Sequence, residues 1–211
     1  MSGAEAVRGA PDGAAEAAAG ERLERSFFAR SVHDVAADLV GCALLFGGAG
    51  GVIVETESYD ASDPACHAYG GPTPRNEVLY GPPGHAYVYF SYGIHSLLNA
   101  VAEPEGSAAA VLIRALEPLW GIEEMRRRRG RSEVRDLCSG PGKLTEALGI
   151  GLGENRMRLD RPPFELRARA GRYESIAVDS GPRIGITRAV EYPWRFCAAG
   201  SRFLSRPLRA V

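Results

Sequence analysis

The sequence predicts a single α+β domain with a central, mostly antiparallel sheet flanked by helices. The length of 211 residues suits one domain with a hydrophobic core. Short β-prone segments, separated by glycine-rich turns, recur along the chain, and a few segments with helical periodicity lie between them. The sequence contains no internal repeat.

The domain is expected to span residues 21–211, after a disordered tail formed by residues 1–20. The tail consists mainly of Ala, Gly and Glu and cannot bury much apolar surface. It lacks the basic start and apolar core of a signal peptide, and no apolar run in the chain reaches the roughly 18–20 residues that span a bilayer. We therefore expect a cytoplasmic protein without membrane contact, nucleoid-associated if the source is bacterial.

The four cysteines are widely and irregularly spaced, and no two of them form a CxxC pair. In a chain without a secretion signal this spacing predicts reduced thiols and disfavours a zinc site, so no metal is expected. The residues are Cys42, Cys66, Cys138 and Cys197.

The first predicted elements are a helix and a β-hairpin. The helix is expected to begin at Ser31, a favoured N-cap residue, and to end at Gly41. Residues 42–46 and 52–57 are predicted strands, and the glycine-rich residues 47–51 between them predict the turn of the hairpin.

Two glutamates, Glu55 and Glu57, lie at the end of the second strand. The side-chain period of two places both on one face, together with Ile53. A carboxylate at the end of an apolar strand is costly unless it is solvated or paired. It can be a general base that activates water, or a structural acid that pairs with an arginine. The spacing does not decide between the two glutamates.

A long loop and three strands follow. Residues 60–84 are rich in Pro, Gly, Asp and Asn and lack periodicity, which predicts a loop of a length that is often functional. Strands are predicted over residues 85–92, 96–102 and 109–116. The last of these is mostly apolar, so the charge of Arg114 within it is conspicuous.

The second half of the chain predicts two more helices and three more strands. Pro118 suggests the start of a helix that continues to Arg129 and ends at Gly130. The segment SGPGK, residues 139–143, opens a helix that continues to Leu148. Strands are expected near residues 164–170, 175–179 and 183–187, followed by a last segment around residues 194–197.

Aromatic side chains are concentrated around the predicted strand of residues 85–92. Aromatic rings stack on nucleic-acid bases at about 1–3 kcal/mol each, and a base taken out of a duplex needs such walls. Core packing explains Phe90 well, whereas buried tyrosine hydroxyls need partners. A lone loop histidine such as His67 is usually just exposed. The aromatic residues are Tyr80, Tyr87, Tyr89, Phe90 and Tyr92.

The formal net charge of −1 does not indicate a nucleic-acid binder, so the distribution of charge matters. Basic clusters can neutralise phosphates, but a solvated helix end and a frayed terminus are the simpler interpretation. The helix start before Lys143 is a further candidate for DNA binding, because free backbone amides lie there beside a cation. The clusters are residues 126–129 and, near the C-terminus, Arg195, Arg202, Arg206 and Arg209.

Several of these segments, taken in order, resemble the alkyladenine (3-methyladenine) DNA glycosylase family. The similarity covers roughly residues 25–205, and the order and spacing of TPRN, PGHAYVYFSYG and LIRALEP are specific. The segments are VETESY (54–59), DPACHAYGGPTPRNEVLYGPPGHAYVYFSYG (63–93), VLIRALEP (111–118), LCSGPGKLTEALGI (137–150), GPRIGI (181–186) and PWRF (193–196).

The resemblance implies a monofunctional DNA glycosylase with a single mixed α/β domain and no metal or organic cofactor. Such an enzyme flips an alkylated or deaminated purine, for example 3-methyladenine or hypoxanthine, out of duplex DNA. Water activated by a glutamate then hydrolyses the N-glycosidic bond, which initiates base excision repair. Damaged double-stranded DNA is the implied partner, and a monomer is the default state. Lys143 is the only lysine, which agrees with the absence of a Schiff-base mechanism.

The resemblance also implies roles for the residues around the reacting bond. Glu57 matches the catalytic carboxylate, which makes Glu55 secondary. Arg114 matches an arginine beside the catalytic water, and the backbone around Ile184 matches a segment whose carbonyl helps to hold that water.

Other residues match the family's contacts to the base and to DNA. Tyr59, His67 and Tyr89 match residues that enclose the flipped base. Asn99 matches a pocket residue that disfavours guanine by crowding its exocyclic amine. Tyr92 matches the aromatic residue that intercalates into the gap left in the duplex.

Two other functions are open at the level of sequence. One is a non-catalytic module that binds DNA damage, although such a module has no need for a water-activating Glu57 beside Arg114. The other is an N-glycosidase for free nucleosides or RNA, although a small nucleoside needs neither an intercalating Tyr92 nor basic clusters.

Overall fold

A computed structural model describes residues 18–91 and 93–208 and contains the single α+β domain that the sequence predicts. Within these ranges, five α-helices flank a sheet of eight antiparallel strands. The helices are α1 (Arg25–Phe28), α2 (Val32–Leu39), α3 (Ile122–Arg129), α4 (Val134–Leu137) and α5 (Pro141–Leu148). The strands are β1 (Ala43–Phe46), β2 (Ala49–Tyr59), β3 (Ala86–Ser91), β4 (His95–Ala102), β5 (Ala109–Trp120), β6 (Phe164–Arg167), β7 (Val178–Gly181) and β8 (Arg195–Ala198).

Strand β2 lies at the centre of the sheet. It pairs with β5 along one edge, and with β1 and then β8 along the other. The main strand order is β3-β4-β5-β2-β1-β6, and β7 pairs with β8. Because β2 is held on both edges, the two glutamates near its end lie inside the domain.

The predicted hairpin of β1 and β2 is present, with a two-residue turn at Gly47 and Gly48. Their φ angles of 57° and 85° are positive, which glycine adopts without strain. Gly51, inside β2, serves a different purpose, since a Cβ atom there would lie 2.2 Å from the carbonyl oxygen of Glu117. The glycine-rich run therefore allows both the turn and the close approach of β2 to β5.

The expectation that Ile53 shares a face with Glu55 and Glu57 is wrong. The pairing of β2 with β5 shifts register between Ile53 and Glu55, and again between Glu55 and Thr56. Ile53 packs in the main core, whereas both glutamates bind Arg114. An inserted residue interrupts the alternation of a strand, and nothing in the local residue pattern marks its position.

The hydrophobic core is divided between the helices and the long loop. The main cluster packs α2, α3 and α5 against the sheet, and its fully buried side chains include Leu39, Ile53, Ile113, Met125 and Leu148. A second cluster lies beneath the loop of residues 60–84 and includes Val78, Leu79, Tyr87 and Val101. The loop is thereby packed on the sheet, which fixes the residues that it carries.

The predicted secondary structure is wrong at a helix start and at one strand. Pro118 lies in β5 opposite Gly51, and α3 begins only at Ile122. Residues 183–187 do not form a strand. Proline fits a helix start and also a strand position that donates no hydrogen bond, so the pairing of β5 with β2 decided its place.

The predicted disordered tail lies outside the described residues for positions 1–17. The described residues that follow contact the domain: Ala18 clusters with Val52 and Tyr173, and the Gly20 amide donates to the Ala168 carbonyl at 3.0 Å. Across the described ranges, no helix combines the length and the apolar character that a membrane crossing requires.

All four cysteines are free thiols, as predicted. Burial raises the pKa of Cys42 and of Cys66 to about 11. These thiols are therefore protonated at neutral pH and are poor nucleophiles.

Candidate active site

Glu57 is completely buried near the end of β2 and accepts three hydrogen bonds. Oε2 accepts from the Tyr59 hydroxyl at 2.7 Å and from Nη1 of Arg114 at 3.1 Å. Oε1 accepts from the Ile184 amide at 2.7 Å. The fold thus brings together four of the residues singled out from the sequence. Ile184 contacts Glu57 through its backbone N–H. The implied role of the backbone carbonyl at this segment, to hold the catalytic water, stays a prediction.

The surroundings of Glu57 favour its protonated form more than water does. Burial raises its pKa above the ordinary value for glutamate, although Arg114 and the two uncharged donors oppose the shift. Burial and the neighbouring carboxylate also raise the pKa of Tyr59, so the phenol keeps its proton and donates it to Glu57. A carboxylate with a raised pKa is better matched to general base catalysis near neutral pH.

Glu55 is also buried, but its partners are different. Its Oε1 accepts from Nε of Arg114 and Nε of Arg195, both at 2.8 Å, and its Oε2 accepts from the Ser205 amide at 2.6 Å. Burial acts to raise the pKa of Glu55, but the two arginines and Ser205 outweigh it and lower that pKa. Glu55 therefore stays ionised and holds Arg114 in place.

Arg114 joins the two glutamates, and this pairing explains its charge inside an apolar strand. Its Nη2 makes a third contact, to the Ser205 hydroxyl at 3.3 Å. The two roles that the sequence left open are therefore divided between neighbours. Glu55 has the surroundings of a structural acid, and Glu57 has those of a candidate base.

A cavity of about 750 Å³ lies beside this network. Its volume is in the usual range for a site that binds a small organic group. Tyr59, Arg114 and Ile184 border the cavity, whereas Glu57 lies behind them with no exposed surface. A reactant in the cavity can reach the carboxylate only if one of these three groups moves slightly.

One wall of the cavity is aromatic. The ring centroids of His67 and Tyr89 are 4.5 Å apart, and those of Tyr87 and Tyr89 are 5.4 Å apart. Nδ1 of His67 lies 3.0 Å from the Tyr87 hydroxyl. Partial desolvation, with a smaller contribution from Arg75, lowers the pKa of His67, so the ring is neutral at physiological pH. The wall offers ring faces for stacking on a heteroaromatic base.

The long loop fixes His67 through the buried Asn76 of the TPRN motif. Nδ2 of Asn76 donates to the carbonyls of His67 at 2.8 Å and Gly71 at 3.0 Å. Its Oδ1 accepts from the Thr73 amide at 2.6 Å. These bonds satisfy backbone groups inside the loop, which lets a polar segment hold one conformation.

Asn99 of β4 lines the same cavity, together with Leu97 and Leu112. Its Nδ2 donates to the Tyr87 carbonyl at 3.0 Å, which fixes the orientation of the side chain. The structure places Asn99 in the pocket with the aromatic residues. Its implied discrimination against guanine stays a prediction.

The rim of the cavity combines cations with exposed apolar side chains. Lys143 at the start of α5 and Arg75 in the long loop both line it and are exposed. On the β3–β4 hairpin, Phe90 is 45% exposed and Ile94 is 68% exposed. Tyr92 of the same hairpin lies outside the described residues, so its implied intercalation stays a prediction.

The arginine clusters contribute less to the surface charge than the sequence suggests. Arg195 is buried on Glu55, so it belongs neither to a phosphate-binding cluster nor to a frayed terminus. Arg209 lies outside the described residues. In α3, the arginines at 126–129 pair with Glu123, Glu124 and Glu146. The simpler interpretation, a solvated and internally paired helix end, fits this cluster better.

Arg183 and Asp63 complete the surroundings of Glu57, and sequence reasoning did not select either. They form a buried ion pair, in which Nη2 of Arg183 donates to Oδ1 of Asp63 at 3.0 Å. Arg183 also donates to the Ser58 carbonyl at 3.1 Å. A charge inside the run GPRIGI was the available signal. The partner lies 120 positions away, which no spacing rule reaches.

Arginines neutralise the buried carboxylates of the site. In the part of the chain that the structure describes, no group of three or more His, Cys, Asp or Glu side chains is arranged to hold a metal ion. The ion pairs are Glu55 with Arg114 and Arg195, Glu57 with Arg114, and Asp63 with Arg183.

Comparison with known proteins gives one consistent result. Residues 26–202 match the family model described as methylpurine-DNA glycosylase. A protein of Rhodopseudomonas palustris is 60% identical over 197 residues, which cover 93% of this chain and 94% of that protein. A protein of Bradyrhizobium diazoefficiens is 61% identical, covering 89% and 92%, and one of Nitrosospira multiformis is 56% identical, covering 86% and 93%. All three are assigned as 3-methyladenine DNA glycosylases.

Proposed function

The chain belongs to the methylpurine-DNA glycosylase family, and from this premise we propose that it flips alkylated or deaminated purines out of duplex DNA and removes them with water activated by Glu57. The enzyme is a DNA glycosylase, a hydrolase of N-glycosyl bonds that acts in DNA repair. One observation carries the proposed mechanism. A buried carboxylate with a raised pKa is held by three donors directly behind an aromatic-walled cavity.

Oε1 of Glu57 is the proposed base atom. Among the described residues it accepts one hydrogen bond, from Ile184, whereas Oε2 accepts two, so Oε1 retains a lone pair for water. Hydrogen bonds of this kind often rearrange when substrate binds, which would give water access to the buried atom.

The reaction balances without a cofactor. A water proton passes to Glu57, the water oxygen bonds to C1′, and the electrons of the C1′–N bond leave with the base. A purine alkylated at N3 or N7 carries a positive charge and departs as a neutral base. Hypoxanthine is neutral in the nucleotide, so it leaves as an anion and takes a proton from solvent. Glu57 returns its own proton to solvent after the reaction. The carboxylate also stabilises the positive charge that develops on the sugar.

The cavity walls supply the proposed recognition of the base. Tyr59, His67 and Tyr89 offer ring faces around a space that accommodates a purine. Electron-rich phenol rings attract a cationic base by a cation–π effect, which favours alkylated purines over normal ones. Asn99, held on the Tyr87 carbonyl, would crowd the exocyclic amine of guanine.

The rim supports a duplex as the substrate rather than a free nucleoside. Lys143 and Arg75 are cations suited to phosphates on either side of the flipped nucleotide. The β3–β4 hairpin, with Phe90 and Ile94 exposed, offers the apolar surface that proteins insert between unstacked base pairs. Tyr92 of this hairpin is the proposed intercalating residue.

The test is an incubation of purified protein with end-labelled duplexes, each carrying one hypoxanthine or one 3-methyladenine analogue. Each sample is divided, and one half is treated with hot alkali before electrophoresis. We expect strand cleavage only after alkali, because water attack leaves an intact backbone with an abasic site. Cleavage without alkali would contradict a monofunctional mechanism and would direct attention to Lys143.

Competition with undamaged duplex separates the duplex enzyme from a nucleoside hydrolase. At low salt, unlabelled duplex should slow excision in proportion to its concentration, because it occupies the same cationic rim. Excision that is indifferent to duplex, with comparable turnover of free nucleosides, would overturn the proposed substrate.

A further inference from the structure

The side chain of Arg183 is fully buried, and so is that of its partner Asp63. Both Nη atoms of the guanidinium bind the carboxylate. Replacing a buried ion pair by apolar groups of similar volume is often neutral or stabilising, so stability alone is a weak explanation for the pair. The contacts of Arg183 indicate a role in geometry.

Three further contacts of Arg183 lead to neighbours of Glu57, and a fourth, from Nη2 to the Ala189 carbonyl at 3.5 Å, stays within its own segment. Its guanidinium carbon lies 4.6 Å from the centroid of the Tyr59 ring and 5.1 Å from the Trp194 ring. Its Nη1 donates to the carbonyl of Ser58, the residue between Glu57 and Tyr59. Arg183 thus fixes the backbone and the ring on the C-terminal side of Glu57.

Arg183 also directly precedes Ile184 in the chain. A side chain anchored in the interior sets the path of its own backbone, and the next amide reaches Oε1 of Glu57 at 2.7 Å. The Tyr59 hydroxyl reaches Oε2 at the same distance. Two of the three donors to Glu57 therefore depend on where Arg183 is held.

On the proposed function given above, we propose that Arg183, anchored by Asp63, is a positioning residue that holds the Tyr59 hydroxyl and the Ile184 amide on the Glu57 carboxylate. It touches neither the cavity nor the reacting atoms. It acts by keeping the base ionised and oriented, since hydrogen bonds to a carboxylate favour its charged form.

The other charged and titratable groups around Glu57 have their own partners and do not duplicate this role. Arg114 and Arg195 are held by Glu55. Apart from Glu55 and Arg183, the remaining groups are two phenols and one thiol, all protonated at neutral pH. Among the described residues these groups are Arg114 of β5, Glu55 and Tyr59 of β2, Tyr89 of β3, Arg195 and Cys197 of β8, and Arg183 itself.

The primary test is Arg183→Lys, which keeps the positive charge but removes the planar fork. The protein is labelled with ¹³C-carboxyl glutamate, and the Glu57 resonance is identified by its loss in Glu57→Gln. We expect the Glu57 titration to move to higher pH by about half a unit or more, since each lost hydrogen bond had favoured the ionised carboxylate. Asp63→Asn, which weakens the same anchor from the other side, should move it in the same direction.

A double-mutant cycle identifies the route of the effect. Tyr59→Phe alone should also move the Glu57 titration upward, because it removes one donor. In the Tyr59→Phe protein, Arg183→Lys should raise the Glu57 titration by less than it does in the wild type. One of the two donors that Arg183 positions, the Tyr59 hydroxyl, is already gone. Full additivity would show that Arg183 does not act through Tyr59 and would overturn that half of the proposal.

The matched control is Arg172→Lys. Arg172 also stacks on a tyrosine, Tyr173, at 4.8 Å and pairs with a carboxylate, Glu117, but it lies away from Glu57. The Arg172→Lys substitution should leave the Glu57 titration unchanged. If Glu57 titrates in Arg183→Lys as it does in the wild type while the Tm is lowered, Arg183 serves only stability, and the proposal is overturned.

The resonance titration requires no turnover, which separates this proposal from the proposed function. If the wild type excises no base but the Glu57 titration still moves in Arg183→Lys, the positioning role stands and the enzymatic role fails. If excision is found and the acid limb of kcat is the same in both proteins, the enzymatic role stands and the positioning role fails.

Discussion

At the scale of the residue, two buried carboxylates two positions apart have opposite electrostatic surroundings. Two arginines and Ser205 surround Glu55, whereas Glu57 receives one arginine and two uncharged donors. The pKa of Glu55 is therefore lowered and that of Glu57 is raised, although burial acts in the same direction on both. Acid and base roles within one site commonly arise from such a division.

Glu57→Gln should abolish excision while damaged duplex is still bound. An amide cannot take a proton from water, and loss of a general base usually lowers the rate on the order of 10²- to 10⁴-fold. Single-turnover excision and fluorescence anisotropy measure the two properties separately. The control is Glu117→Gln, the same change at a carboxylate that binds Arg172 and Tyr173. Equal excision by Glu57→Gln and the wild type would refute the assigned role.

The two glutamates should also affect stability in opposite ways as pH changes. The raised pKa of Glu57 means that the wild type loses stability from this group as pH rises through the folded-state value. The lowered pKa of Glu55 gives stability that is present above the ordinary glutamate range and is lost as pH falls. Relative to the wild type, Glu57→Gln should therefore gain stability with rising pH.

Glu55→Gln should show the reverse trend. It leaves Arg114 and Arg195 buried with reduced compensation, so we expect a loss of about 3–5 kcal/mol near neutral pH. That loss should shrink as the pH is lowered. Urea unfolding from pH 4 to pH 8 measures the free energy of unfolding of both variants. If the two variants changed in stability with pH in the same way, the division of roles between Glu55 and Glu57 would be contradicted.

At the scale of the element, β2 is shaped by its neighbours on both edges. It approaches β5 so closely at Gly51 that no Cβ atom fits, and further along it shifts register twice. These shifts separate the apolar Ile53 from the polar end of the strand. A single strand can therefore supply both the core and the site.

Gly51→Ala should destabilise the domain by about 1–3 kcal/mol or more, because the new methyl group would meet the Glu117 carbonyl at 2.2 Å. Gly153→Ala is the matched control, since a Cβ atom there meets nothing within 4 Å and its φ is not positive. Thermal unfolding distinguishes the two. A Gly51→Ala protein as stable as the control would show that the strands can separate at this point without cost.

At the scale of the whole molecule, net charge gives no useful indication of DNA binding. The chain carries a formal charge of −1, and the arginines of α3 pair with nearby glutamates. Two exposed cations, Lys143 and Arg75, border the cavity. Binding to phosphate is then a local property of the rim.

Lys143→Ala should reduce the salt dependence of duplex binding. Each phosphate contact contributes about 0.9 to the slope of log affinity against log salt, so the slope should fall by about one. Anisotropy titrations between roughly 50 and 200 mM salt provide the measurement. Arg127→Ala, at an exposed arginine paired with Glu124, should leave the slope unchanged. A slope that falls in Arg127→Ala but not in Lys143→Ala would place the DNA on α3.

The sequence by itself determined the fold class, most of the strands, the helix at residues 141–148, the long loop and the family. Turns at glycine pairs, β-prone runs and helix starts are local signals, and they predicted local structure correctly except at Pro118 and residues 183–187. The family was recognisable because its motifs occur in one specific order. The resemblance also selected Glu57 over Glu55, which the period of the strand could not do.

Only the tertiary structure decided why the two glutamates differ, where Ile53 and Pro118 lie, and which arginines are buried. Arg195 meets Glu55 across 140 positions, and Arg183 meets Asp63 across 120. Such pairs depend on how β2, β8 and the long loop come together, and register shifts between strands break the local period that sequence reasoning uses. The pKa of a carboxylate follows from those long-range partners and from burial, neither of which the adjacent residues specify.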